Sequence, residues 1–412
     1  MNIFLGVYAC EPNKGSEPEV GWKMANEIAK LMPNDKIYAL TKANNKSSIE
    51  KENYPKNLFF YYYTLPRWLS FWKKGGRGIR TYYYLWLIGA SLFMKKQNIK
   101  LDIVHHITFV NDWLPSFFYL LKTKENKFIW GAIGSHDPIS FKFLEGKKQK
   151  TVETIRILLQ KVFRNLDPSF HVCKYKADCI VGINENVKNK LNLKKSKFFI
   201  AEPAIAISDN TLYTSSITKK KNEIFTILSV GRLLYIKNFK LTILAFKEFL
   251  IRNPLIKNIQ LKIIGEGKDR DKLEKLVVSL NLESYVLFTG NISLDAVQEE
   301  FSMADLFLFP TLENAGFVTL EAMKHRLPVV AMEYGGPEQF IKSNRSSQLV
   351  SSKEVYSKIV KSLSLKIELF YQDRVLLESV GKQNYLDLLT HFTWSAKATK
   401  MKSIYIKVLN EK

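Results

Sequence analysis

The feature that most constrains this chain is a repeated alternation. A short run of apolar, β-favouring residues is followed by a stretch with helical spacing, then by another apolar run. The series opens with NIFLGVYA, EVGWKMANEIAKLM and KIYALT, and continues through LDIVHHITF, KFIWGAIG and ADCIVGI. It starts afresh at FTILSVGRL, followed by NFKLTILAFKEFLIRN, IQLKIIGEG, DRDKLEKLVVSLN, YVLFTG, ADLFLFPTL and LPVVAME. Runs that are apolar along their whole length belong to strands covered on both faces. Separated by helices, such strands build βαβ units and doubly wound parallel sheets. Two series predict an α/β chain of two Rossmann-like domains facing a central cleft. The polar, non-periodic stretch AEPAIAISDNTLYTSSITKKKNE precedes the second series. It places the boundary so that one domain spans 1–205 and the other 206–394.

Charge is the unusual bulk property. The 412 residues carry a formal net charge of +23. Residues 1–200 hold 33 Lys or Arg against 16 Asp or Glu, and residues 201–412 hold 29 against 23. The asymmetry implies that the N-terminal half faces something anionic, either nucleic acid or a membrane surface; a lysine-rich solvated face is the alternative. Basic residues and aromatics interleave, but no nucleic-acid recognition module is present. The segment FFYYYTLPRWLSFWKKGGRGIRTYYYLWL mixes aromatics with Lys73, Lys74, Arg77 and Arg80, as an interfacial segment would. Three scattered cysteines form neither a disulfide framework nor a metal-binding pair, so a reducing cytosol is the expected compartment. The opening MNIFLGVYAC reads as a first strand, not a signal peptide. The stretch YYYLWLIGASLFM is too short to span a bilayer.

The chemistry-bearing residues cluster where strands end. Ligands of doubly wound sheets bind beyond the carboxyl ends of the strands. In SVGRLLYIKNF, Arg232 and Lys237 follow a strand end at Gly231, and Asn238 suits the N-cap of the next helix. Two cations there can neutralise a diphosphate, or stand as solvated loop charges. In FPTLENAGFVTLEAMKHRLPVVAME, Glu313 lies on a loop and Glu321 about one turn into a helix. The amides of 314–318 can donate to an oxygen-rich ligand, and the two carboxylates can accept from sugar or ribose hydroxyls. The alternatives are a turn former and a helix-dipole acid. YGGPEQFI adds another strand-to-helix turn. IIGEGKDRDKL lacks the dinucleotide-binding glycine fingerprint, and its Asp-Arg-Asp sits at an expected helix start, where acids favour the dipole. In the N-terminal half, Gly15 would let a ligand approach the backbone closely. His105, His106 and His136 fall at strand ends, without the spacing of a zinc site.

Taken together, these segments resemble the family 4 glycosyltransferases, retaining enzymes of the two-domain GT-B fold. The resemblance rests on Glu313 and Glu321 in ENAGFVTLEAM, on the following LPVV and GGPE, on VGRLLYIKNF, on IIGEG and on ADLFLFPTL. GSEPEVGW is similar to the acceptor-side loop of a bacterial subset of the family. The resemblance implies a metal-independent transfer of sugar from a nucleotide-diphosphate donor, expected to be UDP-linked, to a glycan or lipid-linked acceptor. It implies that Arg232 and Lys237 hold the diphosphate and that Glu321 bonds the ribose. Glu313, with the amides of Ala315, Gly316 and Phe317, would orient the transferred sugar. Gly15 would lie near the phosphates, and one of His106 or His136 would contact the sugar or polarise the acceptor. Retention is attributed to same-face attack, with the leaving phosphate taking the acceptor proton. The closing segment HFTWSAKATKMKSIYIKVL looks like the family's last helix, so 395–412 would rejoin the N-terminal domain.

Two departures stand out. AEPAIAI replaces the usual Asn-Gly linker, and NAGFV adds a residue before Gly-Phe and has no second glycine. The implied enzyme is cytoplasmic and peripheral on the inner face of the membrane, and works in cell-surface polysaccharide or glycolipid synthesis. A nucleotide-sugar epimerase or glycan phosphorylase of the same fold, and a basic nucleic-acid-binding protein, are the competing readings.

Overall fold

The computed structural model describes residues 1–73, 75, 78–209 and 223–411. Lys74 and Arg77, two of the four expected membrane contacts, lie outside the described residues, as does most of the stretch expected to divide the domains.

Two parallel sheets form. The first contains β1 (Asn2–Gly6), β2 (Lys36–Lys42), β3 (Leu58–Tyr63), β4 (Ile103–His106), β5 (Lys127–Ile133), β6 (Cys179–Gly182) and β7 (Phe198–Ala201), in the order β3-β2-β1-β4-β5-β6-β7. The second contains β8 (Phe225–Val230), β9 (Ile259–Ile264), β10 (Val286–Gly290), β11 (Leu306–Leu308), β12 (Val329–Glu333) and β13 (Leu349–Ser351), in the order β10-β9-β8-β11-β12-β13. Each series runs outward from its first strand, then reverses. The reversal leaves a topological switch point between β1 and β4 and another between β8 and β11. The expected double winding into two Rossmann-like units is therefore the observed architecture.

The chain divides into two compact units. One comprises 1–135, 154–206 and 394–412; the other comprises 136–153 and 207–393. The sequence reading placed 136–153 with the first sheet, but these residues pack with the second. Ile139, Phe143 and Leu144 are buried in its core, the Tyr334 hydroxyl donates to the Asp137 carbonyl at 2.8 Å, and Lys142 Nζ donates to the Ser352 carbonyl at 2.7 Å. Strand periodicity carries no information about an irregular segment, which follows the apolar side chains that anchor it.

In the first unit, the helix Ser16–Leu31 begins with Glu17 and Glu19 in its first turn and has Lys30 in its last, an arrangement that suits the helix dipole. Gly21 lets this helix approach the loop after β1, since a Cβ there would lie 2.1 Å from the Ala9 carbonyl oxygen. The helix Trp394–Asn410 belongs to the same unit. Tyr405 Oη lies 2.7 Å from His105 Nδ1, and the buried Lys397 donates to Glu202 Oε1 at 3.1 Å. Lys400 also reaches Glu202, at 2.5 Å. Burial alone would raise the Glu202 pKa, but the two lysines outweigh it and hold the carboxyl below its ordinary range. His105 thus belongs to the tie between the last helix and the sheet.

Candidate functional site

The second unit gathers the expected donor residues around its switch point. Beyond β8 the chain passes Gly231 and Arg232, makes a short turn at Tyr235–Lys237, and enters the helix Phe239–Arg252 through Asn238. Beyond β11 it runs through Pro310 and Glu313 to Gly316 and enters the helix Phe317–Lys324. Leu312 N donates to the Ile236 carbonyl at 2.7 Å, and Thr311 Oγ1 to the same carbonyl at 3.2 Å. Asn238 occupies the N-cap position with a left-handed φ of 57° and no capping bond from its side chain. Instead, its Nδ2 donates to the Pro310 carbonyl at 3.1 Å and holds the second loop.

These bonds bring Lys237 and Glu313 together across the switch point. Lys237 Nζ donates to Glu313 Oε2 and lies over the Phe309 ring, 5.4 Å from its centroid. Lys237 is 7% exposed, so the ammonium is a fixed charge rather than a solvated one. Arg232 is exposed and forms no ion pair among the described residues. One cation is therefore pinned and the other is available. The amides of Ala315, Gly316 and Phe317 have no acceptor among the described residues, as befits the first turn of a helix.

Glycines let the loops converge. Gly316 has φ 58°, and a Cβ on it would meet Gly336 Cα at 2.8 Å. The reciprocal Cβ on Gly336 would meet Gly316 Cα at 2.6 Å, and one on Gly335 would meet the Glu313 carbonyl oxygen at 2.2 Å. The loop after β11 and the turn after β12 thus touch backbone to backbone, with Gly336 N donating to the Glu313 carbonyl at 3.1 Å. The extra residue before Gly316 is accommodated here: Ala315 is exposed while Asn314 is buried, and Gln339 Nε2 donates to the Asn314 carbonyl at 3.3 Å.

Glu321 lies on the second turn of its helix and is partly buried. Burial pushes its carboxyl above the ordinary range, against the opposing Gln298 hydrogen bond and nearby Lys324. Gln298 Nε2 donates to Glu321 Oε1 at 3.2 Å, while Gln298 Oε1 accepts from Lys324 Nζ at 2.9 Å and lies 2.9 Å from His325 Nε2. Gln298 on the helix Leu294–Met303 thus holds the Glu321 carboxyl, a contact that sequence reasoning missed. Nothing distinguishes it from any other polar residue on an amphipathic helix until its neighbours are known.

The two histidines part company. His136 is exposed and heads the segment that Tyr334 ties to the turn after β12. His106 is 1% exposed at the end of β4, with Nε2 2.9 Å from Tyr83 Oη and its ring edge-on to Phe118. Burial, with His105 adding to it, pushes its pKa down to about 3. His106 is a neutral core residue, so the expectation that it touches a sugar or acceptor is corrected: between the two, only His136 reaches the surface. Gly15, with φ 63°, opens the helix Ser16–Leu31, and no atom lies within 4 Å of where its Cβ would be. In the same unit, Glu17 accepts from the Phe109 amide, and burial raises its pKa despite that bond.

The remaining expected positions lie elsewhere. Lys73 sits over the Tyr82 ring at 5.0 Å, and the exposed Arg80 over the Trp113 ring at 4.6 Å. The first Asp of Asp-Arg-Asp, Asp269, is at the N-cap position of the helix Arg270–Ser279. It also lines a cavity of about 220 Å³ with Lys240, Lys272 and Glu145. Glu145 pairs with both lysines.

Comparison with known proteins fits this arrangement. Residues 214–387 match the family described as Glycosyl transferases group 1. An uncharacterized glycosyltransferase of Methanocaldococcus jannaschii is 31% identical over 180 residues, covering 43% of this chain and 44% of that protein. The alpha-monoglucosyldiacylglycerol synthase of Streptococcus pneumoniae is 30% identical over 113 residues, 27% of this chain and 24% of that protein. The chain spans less than half the length of these two curated relatives. The sucrose-phosphate synthase structure from Thermosynechococcus elongatus matches with TM-score 0.65 at 17% identity, covering 100% of both chains. That likeness concerns the fold. Residues 214–387 are thus a match to the Glycosyl transferases group 1 family, set within a chain of GT-B fold.

Proposed function

We propose that the protein is a family 4 retaining glycosyltransferase. It moves a sugar from a nucleoside-diphosphate sugar, UDP-linked in the first instance, to a glycan or lipid-linked acceptor. The observation that carries this reading is the pairing of buried Lys237 with Glu313 across the switch point of the second sheet, beside Arg232, which is exposed and forms no ion pair among the described residues. The unit containing 207–393 binds the donor and the unit containing 1–135 binds the acceptor.

Arg232 and Lys237 neutralise the diphosphate and the charge that develops as it leaves, a task that fixed cations perform without reorganising. Glu321, oriented by Gln298, accepts from the ribose hydroxyls. Glu313 accepts from hydroxyls of the transferred sugar, and the amides of Ala315, Gly316 and Phe317 donate to its oxygens. Gly15 leaves the first unit's loop open to a phosphate, and His136 contacts the sugar or the acceptor hydroxyl. In the reaction the bond from the sugar's anomeric carbon to the phosphate oxygen breaks. The acceptor oxygen bonds to that carbon on the same face, and its proton passes to the leaving phosphate. No step is assigned to a metal ion.

The match to a diacylglycerol glucosylating enzyme supports a lipid-linked acceptor in glycolipid or polysaccharide synthesis. The basic N-terminal half supports a peripheral location on an anionic inner membrane face, with Lys73 and Arg80 near the surface. Among the described residues no helix is long and apolar enough to cross a membrane.

The test is release of nucleoside diphosphate from a panel of nucleotide sugars, with and without candidate acceptors, followed by the anomeric configuration of the product. Acceptor-dependent release with retained configuration supports the proposal. Release or sugar isomerisation without an acceptor favours hydrolysis or epimerisation, and defeats it.

A further inference from the structure

The helix Gly146–Leu166 carries an unusual surface. Its residues 154–166 belong to the first unit. Within them Ile155, Leu158, Leu159, Val162, Phe163 and Leu166 are 51%, 58%, 49%, 40%, 42% and 73% exposed. At 3.6 residues per turn these six fall within an arc of about 140°. The opposite face is the one that binds the protein. Gln160 is buried there, and Arg164 donates to the Asp112 carbonyl at 2.9 Å and to Asp112 Oδ2 at 3.0 Å. The helix is thus amphipathic with an apolar face outward, the reverse of an ordinary surface helix.

Charge decides what covers that face. Residues 146–176 contain eight Lys or Arg and two Asp or Glu. Both acids are committed to backbone: Glu153 is buried and accepts from the Ile139 amide, and Asp167 caps the next helix through the amides of Ser169 and Phe170. Lys161 and Arg156 flank the apolar arc on either side. Phe163 also packs against Trp113, whose other neighbour is Arg80, so the arc joins the basic segment near residue 80. Tyr175, on the helix Pro168–Lys176, adds an 85% exposed aromatic. Bulky apolar residues rimmed by one sign of charge fit an anionic lipid surface. A second copy of the chain would bring two like-charged rims together, which opposes association.

We infer that the 155–166 face of this helix lies in the headgroup layer of an anionic bilayer and holds the first unit there. This locates the membrane contact on a helix, with Arg80 at its margin through Trp113. It rests on the proposed membrane-borne acceptor and names the surface that reaches it.

The experiment uses the full chain and co-sedimentation with phosphatidylglycerol–phosphatidylcholine vesicles, against vesicles of phosphatidylcholine alone. The paired variant Leu158→Glu with Leu166→Glu should lose binding to the anionic vesicles by about tenfold or more. Its melting temperature, and its turnover on a short water-soluble acceptor, should match the wild type. Lys161→Glu should weaken binding and reduce its salt dependence. Undiminished binding by the paired variant overturns the inference, as does equal wild-type binding to both kinds of vesicle. A wild-type dimer that the paired variant converts to monomer overturns it in favour of self-association. Loss of turnover on the soluble acceptor in the wild type would instead indict the proposed reaction, leaving the vesicle result to stand by itself.

Discussion

The two switch points offer the most instructive comparison in the molecule. Both arise from the same strand order, reversing between β1 and β4 in one unit and between β8 and β11 in the other. The first is dominated by aromatic groups: Tyr8, Tyr83, Phe109 and His106 crowd one another there, with Glu17 on the Phe109 amide and Lys42 over the Tyr8 ring. The second is lined by a buried lysine, a carboxylate, an exposed arginine and glycines that close on each other. One topology thus supports two chemistries, and the difference lies in a few loop residues. A diphosphate needs fixed positive charge and close backbone, and the second provides both in Lys237 and the Gly316–Gly336 contact.

The sharpest way to break this contrast is to remove the pinned charge. Lys237→Ala should lower kcat by about 10²- to 10³-fold, the loss expected when one preorganised stabilising group is deleted from a reacting site. Wild-type rates in that variant would make the second switch point no more special than the first. Next in size is the loop contact. Gly336→Ala places a Cβ 2.6 Å from Gly316 Cα and should cost about 1–3 kcal/mol, read as a lowered urea midpoint. An unchanged midpoint would show that the two turns are not locked. Gln298→Ala should raise the donor KM by roughly tenfold, by freeing the Glu321 carboxyl from its partner, with little change in kcat. A fall in kcat at constant KM would contradict a purely positioning role.

The smallest effect belongs to the first unit. Burial pushes the pKa of His105 down to about 4 and that of His106 to about 3, against an ordinary value of about 6.5. Below pH 6.5 the unfolded chain then binds more protons than the folded one, so stability falls with pH down to about 4. Urea midpoints followed across this window should fall less for His105→Asn than for the wild type. Parallel curves would remove these histidines from the account.

The units were legible in sequence because parallel, doubly covered strands write continuous apolar runs, such as ILSV and LFLF. The cluster beyond the second sheet was legible for a related reason: Arg232, Lys237 and Glu313 sit on the loops that directly follow those strands, so a strand end locates them. Three things were not legible. The segment 136–153 has no period, and its allegiance to the second unit depends on where Phe143 and Tyr334 find partners. His106 ends one strand and His136 follows another, and only packing shows that Tyr83 and Phe118 enclose the first. The outward apolar face of 154–166 has the same periodicity as an inward one. Sequence fixes the amphipathic stripe of a helix but not the direction it faces.

The central claim is that the diphosphate of the donor sits on Arg232 and Lys237 in the second unit. Calorimetric titration of a panel of nucleoside diphosphates, UDP first, tests it most directly. At least one should bind the wild type, and Arg232→Ala should weaken that binding by about tenfold or more, the worth of one charge-assisted contact to phosphate. Undiminished affinity in Arg232→Ala and in Lys237→Ala alike would place the diphosphate elsewhere and contradict the account.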